Sequence, residues 1–181
     1  MDAIVEAALK KWPNVPHCYG WLALDARGDW YMRDERIQAA GPFPAVKGSR
    51  ITHEKLRQFI ERNYAADEAG CWFFQNGPQR VYLQLEAAPW VFRLDGRLLT
   101  EGKLSTHTGL DTTVNACWLD EHDRLFVATP LGLGLVHSMD MDWAAQAVDA
   151  GLWVPEPSTH AALLAQYGVN LSPAANAQLK R

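Results

Sequence analysis

The chain of 181 residues is long enough for one large domain or two smaller lobes that share a core. Hydrophobic residues make up 48% and charged residues 21% of it, which is the balance of a globular protein and excludes a disordered chain. The formal net charge is −4, from 17 basic and 21 acidic side chains, and no block of like charge stands out. Nucleic acids and anionic membranes both require a basic surface, so we expect neither as a partner.

The N-terminus and the cysteines indicate the compartment. Residues 1–11 (MDAIVEAALKK) carry two acidic side chains and lack the apolar core of an export signal. No window approaches the roughly 20 apolar residues that span a bilayer. The three cysteines are widely separated and form no CxxC pair. This spacing argues against disulfides and structural zinc, and it predicts a cytoplasmic protein without a metal or cofactor.

The predicted elements begin with a helix over residues 2–12, whose apolar side chains form one stripe. A hairpin follows over residues 20–32, with its turn at residues 25–28, where an aspartate can close the turn and a glycine can adopt a positive φ. Residues 33–50 are predicted to be a long loop, because the Gly-Pro-Phe-Pro run at 41–44 excludes a helix interior and a central strand.

Further hairpins dominate the middle of the chain. A second helix is predicted from about Thr52, followed by a second hairpin over residues 71–85. The Asp-Gly pair at 95–96 stands between apolar runs and predicts a third hairpin over residues 90–99. These elements alternate short strands with single helices.

The last third of the chain continues in the same way. A fourth hairpin is predicted over residues 116–127, then a strand at 131–136 and a helix at 140–150. Two short helices are expected near the C-terminus, with Ser158 and Ser172 as their caps.

Two hairpins share one layout. Residues 24–32 and 119–127 each contain Leu-Asp, a polar turn, a charged residue and three apolar residues, and each hairpin precedes an amphipathic helix. This similarity predicts an internal duplication of a hairpin-plus-helix unit. The alternative is that hairpins look alike because turns use few residue types.

The predicted fold class is α+β, with antiparallel hairpins and packed helices. We expect an N-terminal α+β half over residues 1–88, a C-terminal antiparallel β half with one helix over residues 89–154, and a peripheral helical tail over residues 155–181.

Catalytic motifs are absent from the sequence. There is no GxSxG elbow, and no two of the six histidines have the helical spacing of metal ligands. The Gly-Leu-Gly at 132–134 lies in an apolar run and indicates strand glycines rather than a phosphate loop. An enzyme that uses scattered general acid and base groups, with His107, Asp111 and His137 as the carriers, remains an alternative.

Basic and aromatic residues indicate where a ligand could bind. Lys47 and Arg50 flank a Gly-Ser pair just before the helix predicted from Thr52, and a helix N-terminus favours an anion. The alternative is that Ser49 or Thr52 caps the helix while the cations are solvated. Eight tryptophans are many for this length, so one or two can line a cleft beside a basic residue such as Arg80.

Three motifs resemble small bacterial families of unknown function: Asp-x-x-Gly-Asp-Trp-Tyr at 25–31, Glu-Ala-Ala-Pro-Trp at 86–90 and Gly-Leu-Gly-Leu-Val-His at 132–137. One such family is similar over most of the chain. The resemblance implies a duplicated α+β core whose C-terminal half is like a pleckstrin-homology fold. It also implies a ligand cleft between the halves and a signalling role.

We therefore expect a non-catalytic module that binds a small molecule or acts in signalling, with nucleotides and other anions as candidate ligands. The predicted ligand-binding residues are Lys47, Arg50, Arg80, Trp90 and His107. A protein-interaction adaptor is a further alternative, so the partner is either a small molecule or a protein. The sequence does not define the oligomeric state.

Overall fold

The computed structural model describes residues 1–173, which form two compact units. The first unit comprises residues 1–25, residues 29–86 and the segment from Asn170, and the second comprises residues 26–28 and 87–169. Each unit contains a mixed β-sheet and short helices, so the predicted α+β class with its hairpins is confirmed. The body of the helix predicted after Ser172 lies outside the described residues.

The first unit is built on a six-stranded sheet. Its described elements are α1 (Ala3–Lys11), β1 (Cys18–Leu24), β2 (Trp30–Met32), α2 (Glu35–Ala40), β3 (Ser49–Arg50), α3 (Glu54–Arg62), β4 (Tyr64–Ala66), β5 (Trp72–Asn76) and β6 (Gln79–Leu85). The strand order is β3-β2-β1-β6-β5-β4, and the central pair β1–β6 is parallel. Helix α3 packs on this sheet through Phe59, whose ring lies 5.4 Å from that of Phe74.

The second unit is built on a seven-stranded sheet. Its described elements are β7 (Trp90–Arg93), α4 (Arg97–Glu101), β8 (Lys103–Thr106), β9 (Asp111–Thr113), β10 (Ala116–Leu119), β11 (Leu125–Thr129), β12 (Gly132–Val136), a 3-10 turn (Ser138–Asp140), α5 (Met141–Asp149), β13 (Glu156–Pro157) and α6 (His160–Gln166). The strand order is β13-β10-β11-β12-β7-β8-β9, with β10–β13 and β7–β12 parallel.

The prediction of an uninterrupted loop over residues 33–50 is wrong, because this segment contains helix α2 and strand β3. The carboxylate of Asp34 accepts the N–H of Ile37 at 3.0 Å and caps helix α2, and Gly41 ends that helix. The prolines restrict only the residues that follow Gly41, which leaves the preceding turn free to be helical. Strand β3 then pairs with β2 through Tyr31 and Arg50.

The prediction of a third hairpin over residues 90–99 is also wrong. Asp95 accepts the N–H of Leu98 on its carbonyl at 3.0 Å and the N–H of Arg97 on its carboxylate at 2.8 Å, so the Asp-Gly pair starts helix α4. Gly102, at φ 66°, ends the helix. The strand that pairs with β7 is β8, which follows this helix.

The turns of the two similar hairpins have the same hydrogen bonds. The N–H of Asp25 donates to the carbonyl of Asp29 at 3.1 Å, and its Oδ1 accepts the N–H of Asp29 at 3.0 Å. Asp120 makes the same two bonds with Arg124, at 3.1 and 2.8 Å. In each sheet the first strand of the hairpin pairs with a parallel strand, β6 or β13, and the second strand pairs with an antiparallel strand, β3 or β12. The internal duplication stays a prediction.

Helix α6 contributes to the core of the second unit. Leu163 is fully buried and belongs to a hydrophobic cluster with Phe126 and Leu133. Thr159 caps this helix in place of the predicted Ser158, by accepting the N–H of Ala162 at 3.2 Å. The division at residues 88 and 154 stays a prediction. Within residues 1–173, no helix is both long and apolar enough to cross a bilayer.

Candidate functional site

The two predicted anion-binding cations, Lys47 and Arg50, bind carboxylates of the first unit. Lys47 Nζ lies 2.8 Å from Asp25 Oδ2 and 3.3 Å from Glu86 Oε2. Burial acts to lower the pKa of Lys47, but Asp25 and Glu86 outweigh it and hold the pKa above its usual value. Arg50 Nη2 lies 2.6 Å from Asp29 Oδ1. Both cations therefore already have anionic partners within the protein.

Helix α3 begins at Glu54, later than predicted. Its cap is His53, whose Nδ1 accepts the N–H of Leu56 at 3.3 Å. Neither Ser49 nor Thr52 caps the helix, because the chain is extended through β3 before it reaches His53. Glu54 occupies the first turn of α3, where its negative charge interacts favourably with the helix dipole.

Asp25 anchors the network around Lys47. Its side chain is buried, and it accepts the hydroxyl of Tyr31 at 3.2 Å and the N–H of Asp29 at 3.0 Å in addition to Lys47. Burial, followed by the charge of Asp25, raises the pKa of Tyr31. The arrangement keeps Lys47 charged and Tyr31 protonated, so it stabilises the hairpin turn rather than providing a base or nucleophile.

We expect Asp25→Asn to lower the unfolding free energy by about 2 kcal/mol, because it removes the negative charge at a buried hydrogen-bonded position. Urea denaturation at pH 7 measures this loss. The control is Asp29→Asn, which breaks the exposed pair with Arg50 and should cost much less. Equal losses in the two variants would contradict the assignment of Asp25 as the anchor.

Arg80, another predicted ligand residue, lies on β6 of the first unit. Its guanidinium stands over the ring of Phe73 at 4.4 Å, and its Nη1 donates to the hydroxyl of Tyr82 at 3.5 Å. That hydroxyl donates to Asp67 at 3.0 Å. Arg80 therefore packs on the aromatic side chains of its own sheet.

Trp90 and His107 lie together in the second unit, with their rings 5.8 Å apart. The Trp90 indole N–H donates to the carbonyl of Leu131 at 2.8 Å, and His107 Nδ1 accepts the N–H of Val91 at 3.2 Å. Burial lowers the pKa of His107 to about 3, so the ring is neutral at pH 7. The structure thus brings these two predicted residues into contact, while the other three belong to the first unit.

Asp111 and His137, two of the alternative catalytic residues, each form hydrogen bonds within the second unit. Asp111 accepts Arg97 Nη1 at 3.1 Å on the surface. His137 Nδ1 accepts the N–H of Met139 at 3.1 Å and caps the 3-10 turn that leads into α5.

A cavity with a volume of about 680 Å³ lies within the second unit. Helix α4, the chain from Val114 into β10, and the chain from Leu152 to the first residue of β13 surround it. Its lining residues are Leu98, Leu99, Thr100, Gly102, Val114, Asn115, Ala116, Cys117, Trp118, Leu152, Trp153, Val154 and Glu156. None of them was predicted as a ligand residue, because the three segments are far apart in the sequence.

The cavity lining combines apolar side chains with polar surface, and its one carboxylate is Glu156. Trp153 and Leu98 are buried, whereas Val154 is 78% exposed at the rim. Burial raises the pKa of the Cys117 thiol, and the negative charge of Glu156 raises it further. Cys117 is therefore a protonated thiol at neutral pH and a poor nucleophile.

A smaller pocket of about 290 Å³ lies within the first unit. Its lining residues are Cys18, Trp21, Leu22, Met32, Ile51, Leu56, Phe59, Ile60, Phe74, Asn76 and Val81. Trp21 and Met32 are 40% and 46% exposed there. This lining carries no ionised side chain to orient a ligand. Across residues 1–173, no three His, Cys, Asp or Glu residues form a group that could hold a metal ion.

Together these features define an α+β protein with two β-rich units, of which the second contains an open cavity of ligand size. The chain belongs to the family described as "Protein of unknown function (DUF2946)", whose model matches residues 1–180. The expected membership in a family of unknown function is thereby confirmed. The pleckstrin-homology-like half stays a prediction.

Two solved structures of DUF1285 family proteins are similar to the chain. The protein from Silicibacter pomeroyi DSS-3 is 12% identical with a TM-score of 0.49, over 81% of this chain and 84% of that one. The protein from Shewanella baltica OS155 is 15% identical with a TM-score of 0.47, over 70% of this chain and 91% of that one. A comparison with curated proteins gives no match.

Proposed function

We propose that this chain is a non-catalytic binding protein whose small-molecule ligand occupies the cavity of the second unit. The observation that carries the proposal is the cavity volume of about 680 Å³. Small-molecule sites have volumes of about 300–1,000 Å³.

The lining supports this function because it combines apolar surface with a few polar groups. Leu98, Val114 and Trp153 offer apolar contact, while Thr100 and Asn115 offer hydrogen bonds. This is the composition of sites that bury most of a ligand and orient it through a few polar atoms.

The state of the reactive side chains supports binding without catalysis. The Cys117 thiol has a raised pKa and stays protonated. His107 and His137 each use Nδ1 to accept a backbone N–H, which ties both rings to structural positions. The signalling role and the anionic ligand expected from the sequence stay predictions, and the library below includes nucleotides for that reason.

Thermal unfolding in the presence of nucleotides, amino acids, amines and acidic metabolites tests the proposal. A ligand at 100 times its Kd should stabilise the protein by about 2.7 kcal/mol. We expect Thr100→Trp to abolish this effect, because Thr100 is exposed on the cavity wall and a bulky ring there fills ligand space.

The control for this variant is Thr113→Trp, an equally large change at an exposed residue of β9 that does not line the cavity. It should retain the full response. A ligand whose effect survives Thr100→Trp binds elsewhere, and a library without any hit counts against the binding function itself.

A further inference from the structure

One ionised side chain distinguishes the cavity. Of the thirteen lining residues, Glu156 alone is a carboxylate and none is a lysine, arginine or histidine. Glu156 is solvent-exposed and forms no ion pair with any residue in the described part of the chain. The charge that faces the cavity is therefore negative.

Two buried carboxylates of the second unit have arginine partners. Asp120 lies 2.6 Å from Arg124, and Asp140 lies 2.6 Å from Arg93. At the cavity rim, the residues on either side of Gly102 are Glu101 and Lys103, which bind each other at 2.9 Å. The lysine next to the cavity is thus already paired, and Glu156 is left to interact with a ligand.

The thiol of Cys117 gives a second sign that the charge of Glu156 reaches the cavity. Cys117 lines the wall and is buried. Burial raises the pKa of this thiol and a backbone hydrogen bond from Val154 lowers it, and the negative charge of Glu156 then adds a smaller upward shift of the pKa. Any ligand group in contact with Cys117 lies within the same negative field.

We infer that the ligand of this cavity is a small organic cation, with an apolar body and an ammonium group that binds near Glu156. The inference rests on the proposed function and specifies the ligand class. The apolar body packs on Leu98, Val114 and Trp153, while the ammonium donates to the Glu156 carboxylate. An anionic ligand of the same size would lie close to the Glu156 carboxylate. No lining residue is a cation that could offset the repulsion between the two negative charges.

A matched series of three indoles tests the charge of the ligand: tryptamine, tryptophol and indole-3-acetate carry a positive, a zero and a negative charge on similar frames. We expect tryptamine to bind roughly threefold to fivefold more tightly than tryptophol, the effect of one partly exposed ion pair. Indole-3-acetate should bind most weakly. The preference should shrink in 0.5 M NaCl, because salt screens a partly exposed pair. Isothermal titration calorimetry with the full chain measures all three.

The variant Glu156→Gln should make tryptamine and tryptophol bind equally, while tryptophol binding stays unchanged. The control is Asp149→Asn, which removes the same charge from an exposed residue of the second unit that does not line the cavity. It should leave the tryptamine preference intact.

The outcomes separate this inference from the proposed function. Equal affinities for the three indoles, a preference for indole-3-acetate, no binding of tryptamine, or a tryptamine preference that survives Glu156→Gln would each overturn the organic cation. A library ligand of another charge that Thr100→Trp blocks would then still support the cavity as the binding site.

Discussion

The unfolding free energy should fall by about 1.4 kcal/mol per pH unit as the pH is lowered from about 6 to 4.5, through His107 alone. Burial lowers the pKa of His107 to about 3 in the folded protein, against an ordinary value of 6.5. Between these values the unfolded chain binds a proton that the folded protein does not. Stability therefore rises with pH across this window, and the loss by pH 3 is about 4 kcal/mol.

Urea denaturation at pH 7, 6, 5 and 4.5 measures this slope. This pH window lies above the pKa values of two buried carboxylates, Asp120 and Asp140. Burial acts to raise the pKa of Asp120 and Asp140, but bonds from Arg124 and Arg93 outweigh it and hold each pKa below 3.8. Their contribution to stability is present above the unfolded pKa and is lost only as the pH falls below about 4.

The variant His107→Gln should lose most of the pH dependence, because an amide does not titrate there. His122→Gln is the control, since His122 is exposed in the turn after Asp120 and should leave the slope unchanged. An unchanged slope in His107→Gln would show that this ring is protonated in the folded protein, against its assignment as a neutral buried group.

Replacing Gly134 with alanine should lower the unfolding free energy by about 3 kcal/mol. A Cβ at this position of β12 would lie 2.8 Å from the Cβ of Trp90 and closer still to the ring of Phe92, which is completely buried. Both neighbours belong to β7, the parallel partner of β12. Neither can move away without repacking the core, and overpacking typically costs 1–3 kcal/mol.

A second substitution tests the cause of this loss. Phe92→Leu removes the ring edge that a Cβ on Gly134 would meet, so the double variant should be more stable than the sum of the two single losses predicts. Gly96→Ala is the control, because its Cβ would meet only Trp143 at 3.7 Å. Additive losses, or a Gly134→Ala protein as stable as the wild type, would contradict this account.

The hairpins could be predicted because their signals are local. Asp25 and Gly28 stand within one turn, and Asp120 forms the same turn with Arg124, so the residue types alone indicate both. The parallel pairs β1–β6 and β7–β12 could not be predicted, since each joins strands that are far apart in the sequence. The Asp-Gly pair at 95–96 was misleading because the same residues can begin a helix as well as close a hairpin.

The site was harder to predict than the fold for a related reason. Lys47 looks available in the sequence, but its partner Asp25 lies 22 residues earlier and becomes a neighbour only when β3 joins the sheet. The cavity wall includes five consecutive residues from Val114 to Trp118. Alternation of apolar and polar residues in a sequence identifies the buried face of a strand. Here the edge of the strand faces the cavity, and no sequence periodicity identifies an edge.

The most direct test of ligand binding in the second unit is a ¹H–¹⁵N NMR titration of the full chain with tryptamine. We expect chemical-shift changes at the indole N–H of Trp153 and at the backbone amides of residues 114–117, which Glu156→Gln weakens. Changes centred on Trp21 and Leu56, in the smaller pocket of the first unit, would contradict binding in the second unit, and no changes at the highest soluble tryptamine concentration would overturn the organic-cation ligand.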